Sequence, residues 1–149
     1  MPEKTTLKRA RRDKRQGKAA STQAGEFVRE EIHHVREGKH GARSTKQAIA
    51  IGLSKARRSG VKLSPPRKGA KASTRRSAKS AIRAGRRHAR PSTRRARGVR
   101  RALKREGRSA ASRRNLSHQA RTAARRRSSS ARSAAARRAA RTRRRHATA

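Results

Sequence analysis

Basic side chains that could neutralise phosphate groups dominate the chain after Leu63. Of the 48 lysines and arginines, 31 lie in residues 64–149, where Glu106 is the only acid. Arginine outnumbers lysine there by 27 to 4, which suits forked contacts with phosphate oxygens, although a GC-rich genome would also enrich arginine. A surface that only confers solubility mixes both signs of charge, so the imbalance predicts binding to a polyanion.

Nucleic acid is the most abundant polyanion in a cell, and each basic residue that neutralises a phosphate releases condensed counterions. We expect the paired basic residues of the tail to make these contacts. The predicted phosphate-binding residues are Arg67, Lys68, Arg75, Arg76, Arg86, Arg87, Arg94, Arg95, Arg100, Arg101, Arg113, Arg114, Arg125, Arg126, Arg127, Arg137, Arg138, Arg143, Arg144 and Arg145.

Aromatic side chains are nearly absent: there is no Trp or Tyr, and the single Phe is Phe27. Proteins that bind single strands or RNA loops stack bases on aromatic rings. This composition therefore favours contact with the backbone of a duplex and predicts weak sequence specificity.

Acids and histidines recur along residues 26–37. Glu26, Glu30, His33 and Glu37 share one stripe of a predicted helix, and Glu31-x-x-His34 has the spacing of carboxylate-bridged metal sites. Such a site needs further carboxylates from a second helix, which has none, so we expect no metal. The stripe is predicted to be an exposed acidic face, or a docking surface for a basic tail, that of this chain or of a neighbour.

No pattern of residues supports catalysis. The chain has no Cys, the serines at 128–130 lack a structured base, and no glycine-rich phosphate loop follows a strand. We expect no enzymatic activity and no cofactor. No run of about 18 apolar residues and no apolar leader is present, so we expect no membrane contact and a cytoplasmic, nucleoid location.

Two helices are predicted to form an antiparallel hairpin, at about residues 22–37 and 45–59. Thr22 is a plausible N-cap of the first helix, and Gly38 and Gly60 follow the two helices where a left-handed residue is common. Ser44-x-x-Gln47 fits a capping box for the second helix. The apolar periodicity places the hairpin core at Val28, Ile32, Val35, Ile49, Leu53 and Ala56.

Composition divides the chain into a charged N-terminal arm (1–20), the helical hairpin (21–63) and a basic low-complexity tail (64–149). The hairpin is near the lower limit for independent stability, so it could form a homodimer. The tail holds only four large apolar side chains, and its charges repel one another. The predicted fold is therefore a small all-α hairpin with a long disordered tail that is able to become helical when bound.

The segments STQAGEFVREE (21–31) and RSTKQAIAIGLSKARR (43–58) resemble a small bacterial family of unknown function whose members are often labelled DNA-binding proteins. The resemblance covers about residues 1–65 and implies no particular binding residues. The tail is similar in composition to linker-histone-like and protamine-like proteins. Together these features favour a nucleoid-associated, linker-histone-like protein that binds and compacts duplex DNA without sequence specificity. An RNA-binding, ribosome-associated protein and a protein-interaction module localised by its tail are the alternatives.

Overall fold

Seven α-helices account for most of the chain in a computed structural model, which describes residues 1–66, 69–87 and 92–147. In chain order the helices are α1 (Lys4–Arg15), α2 (Ala20–Arg36), α3 (Thr45–Arg58), α4 (Ala72–Arg86), α5 (Thr93–Lys104), α6 (Arg113–Arg125) and α7 (Ser129–Ala147), with a 3-10 helix at Ser109–Ala111 before α6. The chain divides into two compact units, residues 1–112 and 113–149. The division does not coincide with the boundary after residue 63 that composition suggested.

Helices α2 and α3 lie close to the two helices predicted from the sequence, and they pack against each other. Ser44 caps α3, because its hydroxyl oxygen accepts a hydrogen bond from the Gln47 N–H at 3.2 Å. The Gln47 side chain in turn accepts from the Arg43 N–H at 2.8 Å, one residue earlier than in the standard capping box.

The residues that end these helices follow the sequence prediction, whereas the residue that begins α2 does not. Gly38 and Gly60 have φ angles of 76° and 86°, in the left-handed region that glycine adopts without strain. Helix α2 begins two residues before the predicted N-cap Thr22, and Ala19 at its N-cap makes no side-chain hydrogen bond.

A glycine allows α2 and α3 to pack closely against each other. A Cβ atom at Gly52 would lie 2.7 Å from Val28 Cα, so only glycine allows the two backbones to approach this closely. Of the predicted hairpin core, Ile32, Val35 and Ala56 are buried, while Val28, Ile49 and Leu53 are half-buried.

Residues 1–20, which composition sets apart as a charged N-terminal arm, contain helix α1. Helix α1 packs against α2, and the core cluster consists of Ala10, Ala24, Phe27 and Ala56, with Leu7 packed against it. Phe27, absent from the predicted core, is 1 % exposed. The contact was not predicted because Leu7 is the one large apolar side chain of α1, and no helix was predicted for these residues.

The prediction of a disordered tail is wrong, because the described residues of 64–149 are mostly helical. Helix α4 packs on α3 through Ala78, Ala81 and Gly85, which are all buried. A Cβ atom at Gly85 would overlap the Arg57 carbonyl oxygen, so the two helices lie in close contact. Small side chains thus replace the large apolar residues whose scarcity had suggested disorder, since close approach of two backbones also excludes water.

Residues 103–111 pack against the α2–α3 connection through backbone hydrogen bonds. The Gly41 N–H donates to the Leu103 carbonyl at 2.9 Å, and the Ala42 N–H donates to the Gly107 carbonyl at 3.0 Å. The Thr45 hydroxyl donates to the Ala110 carbonyl at 2.6 Å. This segment therefore belongs to the same unit as the hairpin.

The second unit contains α6 and α7. Alanine and arginine both have high helix propensity, which supports helices even where little apolar surface is buried. Ser128 caps α7 by accepting a hydrogen bond from the Ala131 N–H at 3.2 Å. Among the described residues, no helix combines the length and the apolar character needed to cross a membrane.

Candidate nucleic-acid interface

Nearly all of the predicted phosphate-binding residues that the structure describes are exposed. Arg67 and Lys68 lie outside the described residues, and Arg75 is half-buried. The other seventeen are classed as exposed, from Arg76 in α4 to Arg145 in α7. Because they lie on helices, their spacing decides which of them share a face.

Helix α5 carries a basic face that the paired-arginine pattern does not show. Arg94, Arg97, Arg101 and Lys104 follow the spacing i, i+3, i+7 and i+10, and all four are exposed. Leu103, on the opposite side, is half-buried. The helix therefore presents a continuous row of positive charge about 15 Å long, at 1.5 Å per residue.

Helix α6 of the second unit has the same organisation. Arg114, His118, Arg121 and Arg125 follow i, i+4, i+7 and i+11, while the half-buried Leu116 lies on the other side. In α7 the arginines are distributed around the whole helix. No acid occurs in residues 113–149, which hold 13 arginines.

A further basic face lies on α1, outside the predicted site. Lys4, Lys8, Arg11 and Arg15 follow i, i+4, i+7 and i+11, and all are exposed. The spacing was visible in the sequence, but it points to a face only once residues 4–15 are known to be helical.

The acids of the first unit are engaged with basic residues of the same unit. Six of the seven acids form ion pairs, as follows: Glu3 with His34 and Lys39, Asp13 with Lys18, Glu26 with Arg9, Glu30 and Glu31 with Lys55, Glu31 also with His40, and Glu37 with Lys39. Glu106, the seventh, lies in the segment that contacts Gly41. Negative charge is thus largely compensated within the fold, and the exposed surface keeps a large excess of positive charge.

The predicted exposed acidic stripe is exposed only at its C-terminal end. His33 and Glu37 are exposed, whereas Glu26 is half-buried and Glu30 is 5 % exposed. Glu26 lies 3.8 Å from Arg9 of α1, and the backbone N–H of Glu3 donates to Glu30 at 3.1 Å. This part of the stripe therefore packs against α1 and the residues before it, whereas the alternative prediction named the basic tail.

Lys55 is the central cation of this buried network. Its Nζ atom lies 3.0 Å from Glu30 Oε1 and 2.7 Å from Glu31 Oε2. Burial by itself would lower the pKa of Lys55, but the contacts with Glu31 and Glu30 outweigh burial and raise it. Burial likewise would raise the pKa of Glu30, but hydrogen bonds from Thr6, Glu3 and Lys55 lower it below its ordinary value. Lys55 and Glu30 are therefore charged at neutral pH.

Arg57 is a second buried cation that the sequence did not indicate. It is 8 % exposed, burial lowers its pKa, and its Nη2 atom donates to the Ser64 carbonyl at 3.1 Å. It lines a cavity of about 660 Å³ together with Val61, Leu63 and Ile82. This arginine holds the chain after α3 in place, so its role is structural.

Comparison with known proteins gives a partial match. A protein-family model described as "Family of unknown function (DUF6496)" matches residues 4–69, which span α1, α2 and α3. Among curated proteins and solved structures, none matches this chain. The match is consistent with the expected resemblance to a family of unknown function, and it carries no DNA-binding description.

Proposed function

We propose that this protein binds duplex DNA without sequence specificity, through helices whose basic faces contact the phosphate backbone. The observation that carries the proposal is the combination of exposed basic faces with acids that are paired inside the first unit. A polyanion approaching these faces meets few uncompensated carboxylates. A net charge of +41 makes such an encounter strongly attractive at physiological ionic strength.

The density of charge on α5 matches that of a nucleic-acid strand. Six basic residues lie along its 12 residues, which gives one positive charge for about every 3 Å of helix axis. One strand of B-DNA carries one phosphate for about every 3.4 Å. A helix laid along the backbone can therefore neutralise phosphates in series.

The aromatic content supports a duplex rather than a single strand as the ligand. Phe27, the only Phe, Tyr or Trp of the chain, is 1 % exposed and belongs to the core. None of these three side chains is therefore available to stack on an unpaired base. Contacts with phosphates position a protein on DNA without reading the base sequence, so the proposed binding has weak sequence specificity.

Neutralisation of phosphates also reduces the repulsion between neighbouring duplex segments, so we propose compaction of DNA as the consequence of binding. The protein would then associate with the nucleoid. Helices α1 and α4 already pack on α2 and α3 in the same chain. The described hairpin therefore has no uncovered apolar face that would support dimerisation.

The test is a binding titration of the full-length protein against random-sequence duplex DNA at several salt concentrations. We expect log K to fall linearly with log salt, with a slope of about −0.9 for each phosphate neutralised. Unrelated duplex sequences should bind equally. A shallow slope, or strong preference for one sequence, would contradict the proposal.

Duplex RNA of equal length and single-stranded DNA with the same total number of phosphates serve as competitors, because they carry the same charge with different geometry. Preferred binding to duplex DNA supports the proposal. Preferred binding to RNA, together with loss of the protein from cell sediments after RNase rather than DNase treatment, would favour the RNA-associated alternative.

A further inference from the structure

Glu31, His34 and His40 converge at the end of α2. One ligand atom from each lies within 4.8 Å of the other two, and the imidazole rings of His34 and His40 stand edge to face with centroids 6.0 Å apart. Glu31 and His34 are three residues apart on one helix, so they share a face. His40 reaches the same place because Gly38, with a φ of 76°, reverses the chain after α2.

Glu31 is placed as a ligand would be. It is 1 % exposed, and its Oε2 atom is paired with Lys55 Nζ at 2.7 Å. The Oε1 atom accepts no hydrogen bond from the described residues and lies 3.2 Å from His40 Nε2. A buried carboxylate oxygen without a hydrogen bond is costly, and Oε1 faces His40.

The hydrogen bond made by His40 also supports a role as a ligand. Its Nδ1 atom lies 3.0 Å from the Gly41 carbonyl, which can only accept a hydrogen bond, so Nδ1 carries the proton. Nε2 is then the ring atom that faces Glu31, with Oε1 at 3.2 Å, a separation that suits two ligand atoms of one ion. A backbone carbonyl that orients the second nitrogen is also the usual outer contact of a metal-bound histidine.

We propose that Glu31, His34 and His40 bind a divalent transition-metal ion, with Zn²⁺ the best fit. Two imidazole nitrogens and one carboxylate oxygen are ligands that Zn²⁺ favours, and a fourth position is left for water or for Glu3, whose Oε1 lies 2.8 Å from His34 Nε2. Tetrahedral Zn²⁺ places its ligand atoms about 3.3 Å apart, so the side chains close inward around the ion. Lys55 stays on the other oxygen of Glu31 and orients it.

The lack of a carboxylate in the second helix predicts no metal at this site. In the structure, the loop between the helices supplies a third ligand, His40, and Glu31 is buried. The same loop holds Gly41 and Ala42, which donate hydrogen bonds to Leu103 and Gly107. A bound ion would therefore also stabilise the loop on which residues 103–111 pack.

The test is calorimetric titration of Zn²⁺ into the full-length, DNA-free protein and its variants. We expect one saturable site per chain, and we expect His40→Ala and His34→Ala each to weaken binding about tenfold or more. His33→Ala is the matched control, because His33 neighbours His34 on α2 but is exposed and outside the cluster. The control should bind as the wild type does.

Co²⁺ spectroscopy needs only the wild-type protein, so misfolding of a variant cannot affect the result. The intense visible absorption of four-coordinate Co²⁺ at one equivalent, displaced by Zn²⁺, supports the site. Absence of saturable binding, an octahedral Co²⁺ spectrum, or equal loss of affinity in His33→Ala and His40→Ala would overturn the proposal and leave an ordinary ion-pair network.

Discussion

The two compact units treat positive charge in different ways. In residues 1–112, six of the seven acids of the chain are paired with basic side chains, and the half-buried Lys55 lies between two of them. Residues 113–149 contain 13 arginines and no acid. Charge is therefore part of the packing in the first unit, whereas the arginines of the second unit are exposed.

This contrast shows that net charge alone does not identify a binding surface. The first unit is also strongly basic, yet Arg57 is buried, Lys55 is half-buried, and both serve the fold. What distinguishes the residues of the proposed interface is exposure on a helix face that carries no carboxylate, as in α5 and α6. The substitutions below test this distinction.

Removal of the central cation should produce the largest effect. Lys55→Met leaves Glu30 and Glu31 buried without their counter-charge, which costs about 3–5 kcal/mol of the free energy of unfolding. Urea unfolding followed by circular dichroism measures the loss. Lys46→Met on the exposed side of α3 is the control and should change stability little. Equal stability of the two variants would show that the buried network does not hold the first unit together.

Neutralisation of the α6 face should weaken DNA binding without unfolding the protein. The triple change of Arg114, Arg121 and Arg125 to Gln should reduce the salt slope by up to about 2.7. If the variant and the wild type bind equally at 1 M salt, this change in slope makes the affinity of the variant up to about 500-fold lower at 0.1 M salt. The measurement is the salt-dependent titration with random duplex DNA.

The matched control for that experiment replaces the same three arginines by lysine. The charge is kept, so the salt slope should be unchanged, while any loss of forked contacts would appear as a uniform decrease in affinity. An unchanged slope in the glutamine variant would remove α6 from the proposed interface.

Replacement by alanine should change stability in opposite directions at two glycines of the first unit, because only one of them lies where two helices pack closely. Gly52→Ala brings a Cβ atom to 2.7 Å from Val28 Cα, and we expect a destabilisation of about 1–3 kcal/mol from overpacking. Gly25→Ala in α2 meets no atom within 4 Å and should stabilise the protein by about 0.5–1 kcal/mol, because alanine restricts the unfolded chain. Thermal unfolding compares the two. The same sign for both would contradict the α2–α3 packing.

Acid should affect the two units differently. The pKa of Glu30 is lowered from 4.5 in the fold, so its stabilising contribution is present above pH 4.5 and is lost as the pH falls below that value. Residues 113–149 have no acid and no such dependence. The urea midpoint measured between pH 7 and pH 3 should fall for the wild type and fall less for Glu30→Gln. An identical pH profile for the two proteins would exclude Glu30 as a source of acid sensitivity.

The sequence by itself determined the α2–α3 hairpin, the cap that begins α3 and the glycines that follow both helices. The 3.6-residue periodicity of Ile32 and Val35, the Ser44 cap and the glycines Gly38 and Gly60 are local signals, and each is found in the structure. It also determined the excess of positive charge. These features depend on neighbouring residues and composition, so no knowledge of tertiary contacts was needed.

Tertiary structure alone decided which weakly apolar segments pack and which charges are buried. Helix α4 docks through Ala78, Ala81 and Gly85, which share one face with Ile82 at helical spacing, but the sequence does not show which helix such a face of small residues packs against. Glu31 and His40 meet because the loop after Gly38 turns the chain back on α2. Burial of a carboxylate depends on a counter-charge from another helix, here Lys55, and sequence periodicity holds no information about that partner.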